Sequence, residues 1–422
     1  MFNLNFNFIN RIKKEFFPFY RNSDLKFVFK KLQQDLPNQS KAAMFVGGCV
    51  RKFLSNEEIN DIDIATSLTP DQIKEKFKDT KFNIIDSGIK HGTVTLISDK
   101  LKLELTTLRK DIKTDGRHAE ILYTDDWLED SKRRDISINA IYLDNNGKIY
   151  DPQEGVKDLK HNVVRFIGEP NERIQEDYLR IIRFLRFAIQ YDSNTDAKTI
   201  EALKFNLDGI KNLSKERILD ELLKILKLNN FDNILKHKNK KLIFSLIFPE
   251  FKNINKIEKL KYFKDKNNTI IETNIILAIL LFDDSNNFEY FCHKYKTSNK
   301  INENLSLLFK IYNNCKLDIN FFKKNLIKNI YFYGKNEIKR VAVLKFFDKS
   351  KMSLDDLNKI INKIDNTKPP IFSFDGNYLK KKGMQEGSVI GKTLKIIERE
   401  WLENNFKISE QRVLQIINDQ DY

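Results

Sequence analysis

Apolar residues recur along this chain with two different periods. From Asp24, the run DLKFVFKKLQQDL places its apolar side chains at helical spacing and predicts an amphipathic helix over about 24–40. Short alternating runs follow at AAMFVGG, DIDIAT, FNIIDSG, GTVTLIS and LKLELTTL, separated by glycines and polar turns, and these predict strands. A further strand pair is expected in INAIYLDNNGKIYDP, with DNNG as its turn. After Asn171 proline nearly vanishes, and a helical period runs to about Lys363. The Pro369–Pro370 step marks a last boundary, beyond which glycines punctuate the chain before a final amphipathic helix. The pattern predicts an α+β protein: a mixed head with a small sheet, followed by helices only.

Length and charge add to this picture. A chain of 422 residues exceeds one compact core, so two to four domains are expected. The formal charge of +15 points to a polyanionic partner such as nucleic acid, or to compositional drift towards lysine and asparagine. The longest apolar run, IILAILLF, falls far short of the roughly 20 residues of a membrane span. The N-terminal MFNLNFNFINRIKKEFF lacks the cleavage site of a secretory signal and reads as a peripheral helix or tail. Cys49, Cys292 and Cys315 are too widely spaced for a disulfide framework or a zinc site, which suggests a reducing cytoplasm.

The candidate chemistry starts at Asp61 and Asp63. In a strand these two side chains project from one face, with Ile62 and Ile64 on the other. Such a pair either decorates a solvated face or holds a divalent cation; carboxylate oxygens suit Mg²⁺, which takes one or two of them plus substrate phosphates. Glu104 in LKLELTTL is a candidate third carboxylate. The preceding VGGCVR favours the cation, because Gly47 and Gly48 permit close backbone approach and a following helix offers N–H groups to phosphate. Arg51 lies one turn in, within reach of the same anion. A phosphate cradle beside a metal-binding strand is the apparatus of two-metal nucleotidyl transfer.

These motifs resemble a known family. GGCVRKFL…DIDIAT is similar to the opening motif of the class II tRNA nucleotidyltransferases and bacterial poly(A) polymerases, within the polymerase-β-like superfamily. RRDISINAIYLD (Arg133–Asp144) resembles the family's ribose-reading motif and DPQEGVKDL (Asp151–Leu159) its hinge. EDYLRIIRFLRFA (Glu176–Ala188) resembles the base-reading helix, and ERILDEL (Glu216–Leu222) the helix that braces it. Lys52 departs from the pattern, where the family usually has Asp. The resemblance implies a polymerase-β-like head and assigns Arg134 and Asp135 to the triphosphate and ribose hydroxyl, with Asn139 in support. It also implies that Arg183 and Arg186 assist with triphosphate.

The donors and acceptors of one helix suggest how a base is chosen. On a helix over Glu176–Tyr191, Asp177, Arg180 and Arg183 step round by three and share one side, either as a salt-bridged surface or as a pocket wall. A carboxylate only accepts and a guanidinium only donates. Asp177 can therefore take the exocyclic amine of cytosine or adenine while Arg180 donates to the ring nitrogen. Uracil and guanine would set a carbonyl against Asp177 and be rejected.

The expected organisation is an N-terminal extension (1–23), a catalytic head (24–165), a base-reading neck (166–230), a helical body (231–365) and a tRNA-contacting tail (366–422). The expected activity is transfer of CMP, CMP and then AMP from CTP and ATP to tRNA. The alternatives are a poly(A) polymerase, an A-only adding enzyme, or a non-catalytic RNA-binding protein. Arg109–Asp130 is polar and reads as a mobile loop, which the resemblance links to switching from C to A; His118 within it is expected to anchor the loop. In the tail, Gly376, Gly383, Gly387 and Gly391 beside Lys380–Lys382 suit either a phosphate backbone or helix packing through Gly387 and Gly391.

Overall fold

The computed structural model describes residues 22–36, 41–88, 92–99, 101–115, 118–267, 271–283, 285–348 and 352–419. The expectation for residues 1–20 lies outside them. The chain divides into two compact units, one of residues 1–252 with 293–297 and the other of 253–292 with 298–422.

The first unit opens with α1 (Ser23–Gln33), shorter than the run predicted. Asn22 caps it by accepting the backbone N–H groups of Asp24 and Leu25. Next come β1 (Ala43–Val46), α2 (Gly48–Leu54), β2 (Ile62–Thr66), α3 (Pro70–Phe77), β3 (Asn83–Gly88), β4 (Thr93–Ser98) and β5 (Leu101–Thr107). Then β6 (Arg109–Asp115), β7 (His118–Tyr123), α4 (Trp127–Lys132), β8 (Tyr142–Leu143), β9 (Ile149–Tyr150) and α5 (Gly155–Lys160) complete the mixed part. Seven strands form one sheet in the order β3-β4-β5-β2-β1-β8-β9, in which only β2 and β5 run parallel. One face is buried by Val28, Phe29 and Leu32 of α1 and by Ile73 and Phe77 of α3, against Phe45, Ile64, Leu96 and Leu105 of the sheet. At about 1.5–3 kcal/mol for each such side chain removed from water, this layer is a main source of the sheet's stability.

Two predictions are corrected here. Arg109–Asp130 is not a loop: β6 and β7 pair antiparallel as a separate two-stranded ribbon, and Asp126 caps α4 by accepting from Leu128 and Glu129. Polarity misled, because the backbone hydrogen bonds of a ribbon do not require apolar alternation. The side chains of 111–120, His118 among them, lie outside what is described. The helix expected over Glu176–Tyr191 is also broken, into α6 (Pro170–Glu176) and α7 (Leu179–Gln190), with Asp177 extended between them at φ −157°, ψ 108°. Gly209 accommodates the break: a Cβ there would lie 2.1 Å from the Tyr178 ring. The unit continues through α8 (Ala197–Phe205), α9 (Lys215–Leu226) and α10 (Lys238–Ile247).

Among its described residues the second unit carries helices and no strand: α11 (Lys259–Asn267), α12 (Thr273–Leu281), α13 (Asn287–Tyr295, whose last residues belong to the first unit), α14 (Asn299–Leu317), α15 (Leu326–Phe347), α16 (Leu354–Asn366), α17 (Gly376–Lys381), α18 (Ser388–Glu403) and α19 (Glu410–Asn418). Gly387 precedes α18 rather than lying inside it, and a Cβ on Gly391 would meet nothing within 4 Å, so these glycines do not mediate close helix packing. No helix among the described residues is long and apolar enough to cross a membrane.

Candidate active site

Asp63 sits near the middle of the sheet, on β2 between β1 and β5, and is half-buried. Asp61 lies just before β2 and is exposed, so the two carboxylates meet across a strand start rather than within a strand. Parallel pairing sets Asp63 directly beside Glu104. Burial, then the charge of Glu104, push the Asp63 carboxyl up to about 6, with Asp61 adding and Arg134 and Arg51 opposing. Gly47, at φ +71°, lets the backbone turn here, and a Cβ on it would approach Asp63 Oδ2 to 3.6 Å. Cys49 packs behind, its thiol donating to the Val46 carbonyl at 3.2 Å; burial raises it to about 12, so it is inert.

Arg51 turns inward from α2 and is 6% exposed. Its Nε donates to the Tyr191 hydroxyl at 2.9 Å, Nη1 donates to Asn139 Oδ1, and its guanidinium lies 4.7 Å from the Phe187 ring centre. Arg186 lies 4.0 Å from the same ring. Asn139 in turn donates to Asp135 Oδ1 at 3.0 Å, and Arg183 donates to Asp135 Oδ2 from Nε and Nη2, each at 2.7 Å. The Arg183 charge and these bonds hold the Asp135 carboxyl well below the usual carboxylate range despite its burial. Arg186 is tied to buried Glu221 of α9 at 2.8 Å. A chain of hydrogen bonds and ion pairs thus runs from α2 to α7 and on to α9.

Arg133 and Arg134 are set by a residue that motif reading overlooked. Fully buried Asp130, on α4, accepts from Arg133 at 2.8 Å, Arg134 at 3.0 Å and the Tyr142 hydroxyl at 2.7 Å. The two arginines lower its carboxyl to about 2 against the opposing effect of burial. Its position three and four residues before the arginines was the available signal. Arg173 of α6 adds hydrogen bonds to the carbonyls of Arg133 and Arg134 at 2.7 and 2.8 Å.

Asp177 and Arg180 do not bond to each other, so the salt-bridged surface that was the alternative to a pocket wall does not form between them. Asp177 accepts from Arg217 of α9 at 2.6 Å and from the Leu179 N–H at 3.1 Å, while Arg180 donates to Glu176 and to the Arg173 carbonyl. The break before α7 removes Asp177 from the helical phase that would have aligned it with Arg180. Each group is instead held separately, with Asp177 as an acceptor and Arg180 as a donor.

A cavity of about 670 Å³ collects these groups. Gly47, Gly48, Arg51, Asp61, Asp63, Arg134, Asp135, Asn139, Asp177, Arg180, Arg183 and Arg186 all line it, joined by Lys52, Phe187 and Lys224. Glu104 lies outside it, in a neighbouring cavity of about 460 Å³ that also contains Asn60, Asp61, Asp63 and Lys102. Asp61 and Asp63 therefore stand between two spaces, one strongly basic and one not. Among the described residues no cluster of three or more His, Cys, Asp or Glu could hold a metal ion by itself.

Comparison with known proteins bears on this arrangement. Residues 43–165 match the family model described as "Poly A polymerase head domain", and residues 194–255 that described as "Probable RNA and SrmB- binding site of polymerase A". The mitochondrial CCA tRNA nucleotidyltransferase 1 of Danio rerio is 30% identical over 410 residues, covering 93% of this chain and 89% of that protein. The crystal structure of the Bacillus stearothermophilus CCA-adding enzyme in complex with CTP matches with a TM-score of 0.73 over 96% of this chain and 98% of that one, at 21% identity. The Thermotoga maritima CCA-adding enzyme complexed with tRNA matches with a TM-score of 0.61 at 21% identity, over 94% and 95% of the two chains. With the similarity running nearly end to end at the level of sequence, the chain belongs to the class II CCA-adding tRNA nucleotidyltransferases.

Proposed function

We propose that this chain adds C, C and A to the 3′ end of tRNA without a nucleic-acid template, taking CMP twice from CTP and AMP once from ATP and releasing pyrophosphate each time. The observation that carries this reading is the basic cavity in which an acidic pair, a glycine turn and a separate acceptor and donor converge. The 3′-oxygen of the RNA attacks the α-phosphorus of the nucleotide, and the bond to the β-phosphate oxygen breaks. Arg183 and Arg186, fixed by Asp135 and Glu221, and Arg134, fixed by Asp130, present a positive wall to the triphosphate. Asp177 accepts the exocyclic amine of C or A, and Arg180 donates to the ring.

Asp61 and Asp63 are the residues that would hold Mg²⁺, and they fit it. Burial and then the charges of Glu104 and Asp61 raise the Asp63 carboxyl to about 6, a cost that a bound cation would relieve, and substrate phosphates would complete the shell. When bound, paired Mg²⁺ ions lower the proton affinity of the 3′-hydroxyl and offset charge on the departing pyrophosphate. Glu104, beside Asp63 on the less basic side, raises the proton affinity of Asp63. Three buried cysteines without disulfides fit a reducing compartment, in our reading the cytoplasm, although the Danio rerio relative is named as mitochondrial.

Incubation with a tRNA lacking CCA tests the proposal. CTP alone should extend it by two residues, and CTP with ATP by three. Extension by ATP alone on a bare 3′ end would favour a poly(A) polymerase instead.

A further inference from the structure

The basic wall of the nucleotide cavity is committed to the protein itself, with one exception. Each arginine that lines the cavity is tied to an acceptor given above, and Lys224 is tied to Glu221 at 2.8 Å. Lys52 lines the same cavity, yet among the described residues its side chain has no hydrogen bond or ion pair. Its place follows from the helix: one residue beyond Arg51, it is turned about 100° round α2. Arg51 points inward to Tyr191 and Asn139, and Lys52 is left half-buried at the cavity edge.

This difference has a chemical consequence. An arginine already paired with a carboxylate must share or exchange that partner to bind an anion, and its planar fork is held in one orientation. An unpaired ammonium on a four-carbon stem gives up only water, and its three donors can follow a phosphate oxygen. We propose that Lys52 binds a phosphate group of a bound substrate at the edge of the nucleotide cavity, supplying the adaptable charge beside a fixed arginine scaffold. The proposal rests on the nucleotidyltransferase reading for the identity of those substrates. Two sources share the chemistry: the triphosphate of the incoming nucleotide and the backbone of the tRNA 3′ end.

The test compares the full-length wild type with Lys52→Ala and Lys52→Arg, with thermal unfolding as a check that α2 is intact. Titration calorimetry is run with CTP, with inorganic tripolyphosphate and with a tRNA lacking CCA, each alone, so that no turnover is needed. Lys52→Ala should weaken one class of ligand by about fivefold or more, and Lys52→Arg should restore it. Loss confined to CTP and tripolyphosphate assigns the triphosphate. Loss confined to tRNA, with the salt dependence of binding reduced by about one phosphate contact, assigns the RNA backbone. All three ligands binding within twofold of wild type would overturn the proposal and leave Lys52 as a cation favoured only by the end of its helix. A wild type that bound these ligands but transferred no nucleotide would instead refute the enzymatic reading and leave the Lys52 comparison interpretable.

Discussion

Asp63 combines burial with two carboxylate neighbours, and both have measurable effects. Asp63→Ala or Asp61→Ala should abolish incorporation of CMP and AMP while leaving tRNA affinity within about twofold, read by 3′-extension and by binding. The raised carboxyl also predicts a stability effect in metal-free protein. A folded-state pKa near 6, above the unfolded value of 3.8, favours the fold when protonated. That contribution is complete below pH 3.8 and is lost as pH rises through about 6. Asp63→Asn should therefore stabilise the metal-free protein by up to about 3 kcal/mol at pH 8 and by little at pH 4, measured by denaturant unfolding. Equal effects at both pH values would mean that the crowding is not electrostatic. At Asp177, replacement by Ala should raise misincorporation of UTP and GTP relative to CTP, because an acceptor that repels carbonyls is gone. Arg217→Ala should act in the same direction more weakly, since it frees Asp177 without removing it. Unchanged discrimination in both would place base choice elsewhere.

The same elements decided what could be read in advance. DIDIAT and LKLELTTL were legible as strands because their apolar residues alternate with a period of two. Their parallel pairing, which sets Asp63 beside Glu104, was not legible, because pairing partners are non-local. The ribbon β6–β7 was missed because its charged residues read as a loop, and the break at Asp177 because no proline or glycine marks it. Gly209, which makes room for that break, lies 32 residues further on. The ribbon emerges directly from the strand that carries Glu104 and leads through α4 to Asp130, which positions Arg133 and Arg134. Replacing residues 112–119 by a short turn should leave both C additions near their normal rate and stop extension before A, read on sequencing gels. Completion of CCA at the normal rate would remove the ribbon from the switch, and equal loss of all three additions would make it structural.

At the scale of the whole chain, the basic charge and the helical units fit an RNA substrate. Raising salt from about 50 to 200 mM should weaken tRNA binding by an order of magnitude or more, in proportion to the phosphates neutralised. The head motifs, the helical remainder and the membership of the family were legible from residues 42–225 and from the last 50 or so residues. The helices between them carry no motif, since their apolar faces record only packing. The most direct test of the account is to sequence the 3′ ends of a tRNA lacking CCA after reaction with all four nucleoside triphosphates. The account predicts products ending in CCA and no longer. Tails of A, or ends containing U or G at comparable frequency, would contradict it.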